Sequence, residues 1–258
     1  MTNLLWSDRD ALVSSWPFMA TPYPLLTTIV IYLWIVLKAG PKYMSKRKPF
    51  NITTIIRIYN ILQVIACIYF VVTAHQHEFT FALMWQCVNV PQKNDVIPNH
   101  LMALNNMLWL FLMLRIIEFF ETIFFVMRKK FDQVTALHCY HHISTVVLLW
   151  IFLKYSGGMN EVFIGTLNSI VHIVMYIYYF LSSFRNYRFR FISNLIKPCI
   201  TVIQIVQLVA ILGHCVVAMM ADCNVTWMYA LQILNISFLI IMFVNFYVKS
   251  YWKRNKSV

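Results

Sequence analysis

The chain has 258 residues, of which 60% are hydrophobic and only 12% charged, and its formal net charge is +12. A soluble domain of this length needs far more charge to cover its surface, so the soluble classes are excluded. The basic excess does not point to nucleic acid, because most of it lies in segments between apolar stretches.

Seven apolar stretches run over about 24–40, 55–74, 104–126, 134–154, 161–181, 198–220 and 228–248, each near the ~20 residues a helix needs to cross a bilayer. The expected fold is all-α: one membrane-embedded domain over 1–258 with seven transmembrane helices. Asp8 and Asp10 stand where a cleavable signal would carry basic residues, so the first span is expected to remain in the protein. Pro24 and Lys38 crowd the ends of that span, and Lys38 must snorkel.

Basic residues sort to one side of the membrane. Lys42, Lys46, Arg47 and Lys48 follow the first span, and Arg128, Lys129 and Lys130 follow the third. Arg185, Arg188, Arg190 and Lys197 follow the fifth, and Lys249, Lys253, Arg254 and Lys256 follow the seventh. The opposite side receives only Arg9, Lys93 and Lys154. The positive-inside rule then predicts a luminal N-terminus and a cytosolic C-terminus. The tail Arg254-Asn-Lys256-Ser-Val258 is similar to a dibasic retrieval signal of the endoplasmic reticulum.

The long luminal segment 75–103 carries Cys87, and the short luminal turn before the seventh span carries Cys223. Both face an oxidising compartment, which predicts a Cys87–Cys223 disulfide, with two unpaired thiols as the alternative. Of the three glycosylation triplets, at Asn51, Asn224 and Asn235, only Asn224 is expected in the lumen. No internal repeat is evident, which argues against an inverted-repeat transporter.

Ionisable and amide side chains inside a bilayer are costly, so they default to function. The second span carries Arg57, Asn60 and Gln63, and the third carries Arg115, Glu118 and Glu121, both at three-residue spacing. Arg115 is placed to pair with Glu118 within one turn. The fourth span opens with His138-Cys-Tyr-His141-His142, whose i, i+3 and i+4 spacing puts three imidazoles on one helix face. The fifth adds Asn168, His172, Tyr176 and Tyr179, and the sixth Thr201, Gln204 and Gln207. At ~1.5 Å per residue, Glu121 and His141 each lie ~10 Å from the cytosolic end of their helices, and His172 ~18 Å. Five helices thus offer polar groups at comparable depth, for a cytosol-facing active site or an ion path.

These residues resemble the signature of the very-long-chain fatty acid elongase family. His138, His141 and His142 match its HxxHH box, and Arg115-Ile-Ile-Glu118-Phe-Phe-Glu121-Thr122 matches KxxExxDT in register. Asn168 to Tyr179 matches NxxxHxxMYxYY in full, and Thr201, Gln204 and Gln207 match TxxQxxQ. Arg115 stands where the family usually has Lys, and Glu121 where it has Asp. Both keep charge and change reach.

The resemblance implies six of the seven helices enclosing an acyl tunnel closed towards the lumen. It also implies condensation of a long-chain acyl-CoA with malonyl-CoA, without metal or cofactor. His141 is expected to accept the acyl group, His172 to activate the second substrate, and His138 and His142 to carry protons. Arg57, Arg115, Glu118, Glu121, Asn168, Tyr176, Tyr179, Gln204 and Gln207 are expected to contact substrate. The resemblance further implies the endoplasmic reticulum membrane and partnership with a ketoacyl-CoA reductase, a dehydratase and an enoyl reductase. It allows a homodimer and requires no nucleic acid. Two rivals explain parts of the pattern. A di-iron desaturase or hydroxylase uses HxxHH boxes but needs roughly eight imidazoles, whereas four of this chain's eight histidines converge at most. A non-enzymatic seven-helix receptor or transporter explains the topology but not the histidine face.

Overall fold

A computed structural model describes residues 11–76, 99–156, 161–184, 187–221 and 226–252, with backbone alone at 11–12, 99–101, 187–195 and 226. Cys87, Cys223 and Asn224 lie outside the described residues. All regular structure among them is helical, as a lipid solvent demands of a chain whose backbone polar groups must be satisfied within each segment. The ten α-helices are α1 (Ala11–Ser15), α2 (Tyr23–Trp34), α3 (Gly40–Ser45), α4 (Thr53–Gln76), α5 (Asn99–Ile117), α6 (Phe119–Met127), α7 (Ala136–Ser156), α8 (Glu161–Ser182), α9 (Tyr187–Met220) and α10 (Thr226–Tyr247). Six helical stretches among the described residues are long and apolar enough to cross a membrane: Tyr23–Ser45, Thr53–Gln76, Ala136–Ser156, Glu161–Ser182, Ile196–Met220 and Trp227–Trp252. The protein is therefore an all-α, multi-pass membrane protein.

One expectation is corrected and one is extended. The third stretch, 104–126, is not one helix: α5 ends at Ile117 and α6 begins at Phe119, with Glu118 between them. There the Glu121 amide donates to the Glu118 carbonyl at 3.0 Å, an i→i+3 bond. Such a tightened turn nearly eclipses residues three apart, which suits the spacing of Arg115, Glu118 and Glu121. The sixth stretch, 198–220, coincides with the apolar span Ile196–Met220 and lies within a longer helix. Helix α9 runs 34 residues with Pro198 inside it, roughly 50 Å at ~1.5 Å per residue and longer than a bilayer's ~30 Å core.

The chain forms two compact units. The first comprises Met1–Asn51 and Cys87–Val162. In it α5 packs on α7, and α3 on α6. The segment before α2 is pinned by two indoles: Trp109 Nε1 donates to the Pro17 carbonyl at 3.1 Å, and Trp150 Nε1 to the Phe18 carbonyl at 2.8 Å. Lys154, buried on α7, donates to Ser14 Oγ at 2.7 Å. The first span is continuous because a π-helical turn, Ile35–Ala39, joins α2 to α3, and it leaves Lys38 exposed.

Gly40 closes that turn by donating to the Ile35 carbonyl. A Cβ there would lie 2.7 Å from both the Ile35 oxygen and Val126 Cγ1. Gly40→Ala is therefore expected to destabilise by about 1–3 kcal/mol through overpacking of α3 on α6. Unfolding of the purified protein by SDS in mixed micelles measures it, and an unchanged midpoint would contradict the close approach.

The second unit comprises Ile52–Gln86 and Phe163–Val258. Here α9 and α10 pack against one another along much of their length. Helix α4 is inverted relative to a soluble helix. Its exposed side carries Ile55, Ile58, Ile61, Leu62, Ile65 and Ile68, whereas its buried positions are Asn60, Gln63, Cys67, Phe70 and Ala74. Their 3-4-3-4 spacing makes one inward stripe, polar in its first half and apolar in its second. Lipid accepts the isoleucines, so burial is reserved for groups that lipid would penalise.

Candidate functional site

In the first unit the site is organised around the start of α7. Thr135 is the residue before that helix, and its Oγ1 accepts the His138 backbone N–H at 3.1 Å. This is an N-cap bond to the third helical residue, and it fixes where the HxxHH segment becomes helical. Thr135→Ala is expected to cost about 1 kcal/mol. The same SDS titration reads it, with Thr135→Ser recovering most of the loss; an Ala variant as stable as wild type would remove the cap.

The four-residue spacing then sets His138 edge-on to His142, with ring centroids 4.4 Å apart. His141 stands to one side, 5.7 Å from the His142 ring and perpendicular to it. It is half-buried, whereas His142 is buried. The spacing therefore makes a close pair plus a third ring beside it.

The turn at Glu118 supplies the acids. Arg115 Nη1 donates to Glu118 Oε2 at 2.9 Å, with the two side chains 2% and 1% exposed. The Arg115 guanidinium also lies 4.4 Å above the Phe111 ring, a cation–π contact that spreads its charge over an apolar surface. His142 faces both acids, Nδ1 at 4.0 Å from Glu118 Oε2 and Nε2 at 3.8 Å from Glu121 Oε2. These separations are too long for hydrogen bonds and leave electrostatic attraction.

A hydrogen-bonded chain reaches the same histidines from the first span. Tyr32 and Thr122 share a bond of 2.9 Å between their hydroxyls, and Thr122 Oγ1 lies 2.9 Å from His138 Nε2. Tyr32 is buried and stacks on Phe119 at 4.3 Å. Sequence reading did not single out Tyr32. Its only signal was a lone tyrosine within an aliphatic run, since its partner lies 90 residues away.

Glu121, His138 and His142 form one group whose ligand atoms lie within 4.8 Å of one another. Two imidazoles and a carboxylate form a donor set that divalent metals accept. The Nε2 atom of His138, however, already engages Thr122. Hydrogen bonds join Tyr32, Thr122 and His138 in this group, and His142 and the acids lie close by in electrostatic contact.

In the second unit, His172 and Tyr176 are buried on α8 with rings 5.6 Å apart. Tyr176 meets Tyr59 edge-on at 6.2 Å, and the Tyr59 hydroxyl accepts from Gln63 Nε2 at 2.8 Å. Tyr179 is on the exposed side of α8, with its ring 6.1 Å from that of Tyr176. Asn168 is half-buried on α8, and Gln207 is buried on α9. Gln204 Nε2 lies 3.6 Å from the sulfur of Met175.

Arg57 has a role that the sequence did not reveal. Its Nε donates to Ser183 Oγ at 2.8 Å and its Nη2 to the Ser183 carbonyl at 3.1 Å. Its guanidinium also covers the Phe184 ring at 4.0 Å. It holds the C-terminal end of α8, where a cation complements the helix dipole.

The ELO: GNS1/SUR4 family pattern matches residues 17–258. The chain is 33% identical over 253 residues to very long chain fatty acid elongase 4 of Homo sapiens, covering 97% of this chain and 78% of that protein. It is 31% identical over 256 residues to very long chain fatty acid elongase 7 of Drosophila melanogaster, covering 98% and 76%. Very long chain fatty acid elongase 1 of Mus musculus is 30% identical over 258 residues, with 96% and 88% covered. With the histidine box, the acidic turn and the α8 and α9 motifs all in place, the chain belongs to the ELO (GNS1/SUR4) family, that of the very long chain fatty acid elongases.

Proposed function

We propose that this protein condenses a long-chain acyl-CoA with malonyl-CoA in the endoplasmic reticulum membrane, giving a 3-oxoacyl-CoA, carbon dioxide and free coenzyme A. The observation that carries this reading is the histidine box gathered on one helix face beside two buried acids. His138 bonds Thr122 and His142 faces Glu121, and the half-buried His141 stands perpendicular to His142 on the same face.

An imidazole nitrogen of His141 attacks the thioester carbonyl, the C–N bond forms, and the C–S bond breaks as coenzyme A leaves. An acyl-imidazole is about as activated as the thioester it replaces, so one difficult condensation becomes two easier steps. The proton lost by His141 passes to the departing thiolate, and His138 and His142 are the groups suited to carry it. Malonyl-CoA then loses carbon dioxide. The resulting enolate carbon attacks the acyl-imidazole, forming the new C–C bond as the C–N bond breaks, and the departing His141 nitrogen takes up one proton from solvent to return to neutral imidazole. His172 orients the second thioester. Decarboxylation supplies the carbanion, so the two substrates provide the driving force without a cofactor.

The test is to incubate purified protein in vesicles with acyl-CoA and radiolabelled malonyl-CoA. The expected result is a product two carbons longer, with one carbon dioxide per product. Absence of product across saturated and unsaturated chain lengths would overturn the reading.

A further inference from the structure

Tyr32 is buried in the first span at 3% exposure, and the condensation scheme gives it no task. Its hydroxyl lies 2.9 Å from Thr122 Oγ1, which in turn lies 2.9 Å from His138 Nε2. All three residues belong to the first unit. Thr122 is itself fully buried. A helix threonine commonly satisfies its hydroxyl on the carbonyl four residues back, as Thr145 does on His141. Thr122 instead joins a tyrosine of α2 to a histidine of α7. Two hydroxyls in series that end on one ring nitrogen have a direction, and their protons fix it.

Each of the two contacts needs one proton, and the two hydroxyls own two. If Nε2 is bare, Tyr32 donates to Thr122, Thr122 donates to Nε2, and both protons are used. If Nε2 carries a proton, it donates to Thr122, Thr122 donates to Tyr32, and the Tyr32 proton is left over. Among the described residues, the group beside that proton is the Cys139 thiol, and a thiol sulfur is a weak acceptor. Protonating both ring nitrogens leaves the same surplus. A buried donor without a good acceptor is costly, so the series runs from Tyr32 towards His138. Stacking on Phe119 at 4.3 Å holds the Tyr32 ring in place. A ring whose Nε2 accepts carries its single proton on Nδ1.

We infer that Tyr32 is a positioning residue of the condensation, acting through Thr122 to hold His138 as the neutral ring protonated on Nδ1. The effect on turnover rests on the condensation reading, whereas the tautomer does not. With Nε2 engaged, His138 serves as a fixed hydrogen-bond donor. Of the two rings suited to carry protons, His142, with Glu118 and Glu121 beside it, is left as the carrier.

Purified wild type, Tyr32→Phe and Thr122→Val are compared with isotope-labelled histidine ring nitrogens, and His138→Gln identifies the His138 signals by their loss. Tyr32→Phe keeps the ring on Phe119 and removes one hydroxyl; Thr122→Val keeps the shape and removes the other. At neutral pH the wild type is expected to show His138 protonated on Nδ1 and bare on Nε2. Tyr32→Phe is expected to add a population protonated on Nε2, because Thr122 then accepts without stranding a tyrosine proton. Its kcat is expected to fall about tenfold, the scale of one hydrogen bond, with KM unchanged, and Thr122→Val is expected to lower kcat further. A wild-type His138 protonated on Nε2, or a Tyr32→Phe variant that keeps the wild-type tautomer or the wild-type kcat, would overturn the assignment. A wild type that makes no elongated product would instead sink the condensation reading, and the nitrogen spectra would still decide the tautomer.

Discussion

His141→Ala is expected to reduce elongation at least about a thousandfold, the scale on which enzymes lose turnover when a covalent nucleophile is removed. Incubation of wild type with acyl-CoA alone should leave the acyl group on the peptide that contains His141, detectable by mass after rapid acid quench, with one coenzyme A released per site. His142→Ala should slow product formation less severely, because the His138 ring remains 2.9 Å from Thr122. The difference between the two variants is the informative quantity. If His141→Ala still acquires an acyl group and elongates at the wild-type rate, the covalent route is wrong, whatever the overall activity.

Breaking the Arg115–Glu118 pair is expected to produce the largest loss of stability from a single substitution. Arg115→Met leaves Glu118 1% exposed without its strongest partner, and Glu118→Leu strands Arg115 in the same way. Each single change should cost about 3–5 kcal/mol, because a buried charge loses its hydrogen-bonded ion partner in a low-dielectric interior. His142 does not replace Arg115, since 4.0 Å is beyond hydrogen-bonding reach of Glu118. The double variant Arg115→Met/Glu118→Leu should recover most of the loss, as apolar replacements of buried pairs do. SDS titration of the four proteins completes the cycle, and a double variant as unstable as either single one would show that the pair does not act as a unit. Elongation should remain impaired even in the recovered variant, since Glu118 also faces His142. Stability and turnover would then separate, which a purely structural ion pair does not predict.

Much of the site was legible in the sequence because its signals are local. Apolar runs of about twenty residues define spans whatever surrounds them. HxxHH places three rings on one face through helical periodicity alone. The break at Glu118 was not legible, because Phe119, Phe120, Ile123 and Phe124 continue the hydrophobic run without a proline or glycine to mark an end. The destination of Arg57 was equally hidden. Its partner, Ser183, is 126 residues away, and nothing around Arg57 distinguishes a cation that caps a helix from one that awaits a phosphate.

The amino-acid sequence by itself determined the all-α membrane class, the inward polar residues and the order of the four motifs, because hydropathy and helical spacing act over a few turns. Only the tertiary structure decided which of those residues are satisfied. It joined Tyr32 to Thr122 and His138, gave Arg57 to the end of α8, and left Asn60 Nδ2 and Gln63 Oε1 sealed and unmatched. Hydrogen bonding is settled by partners brought together from distant parts of the chain, at separations of a few ångströms that no local pattern encodes.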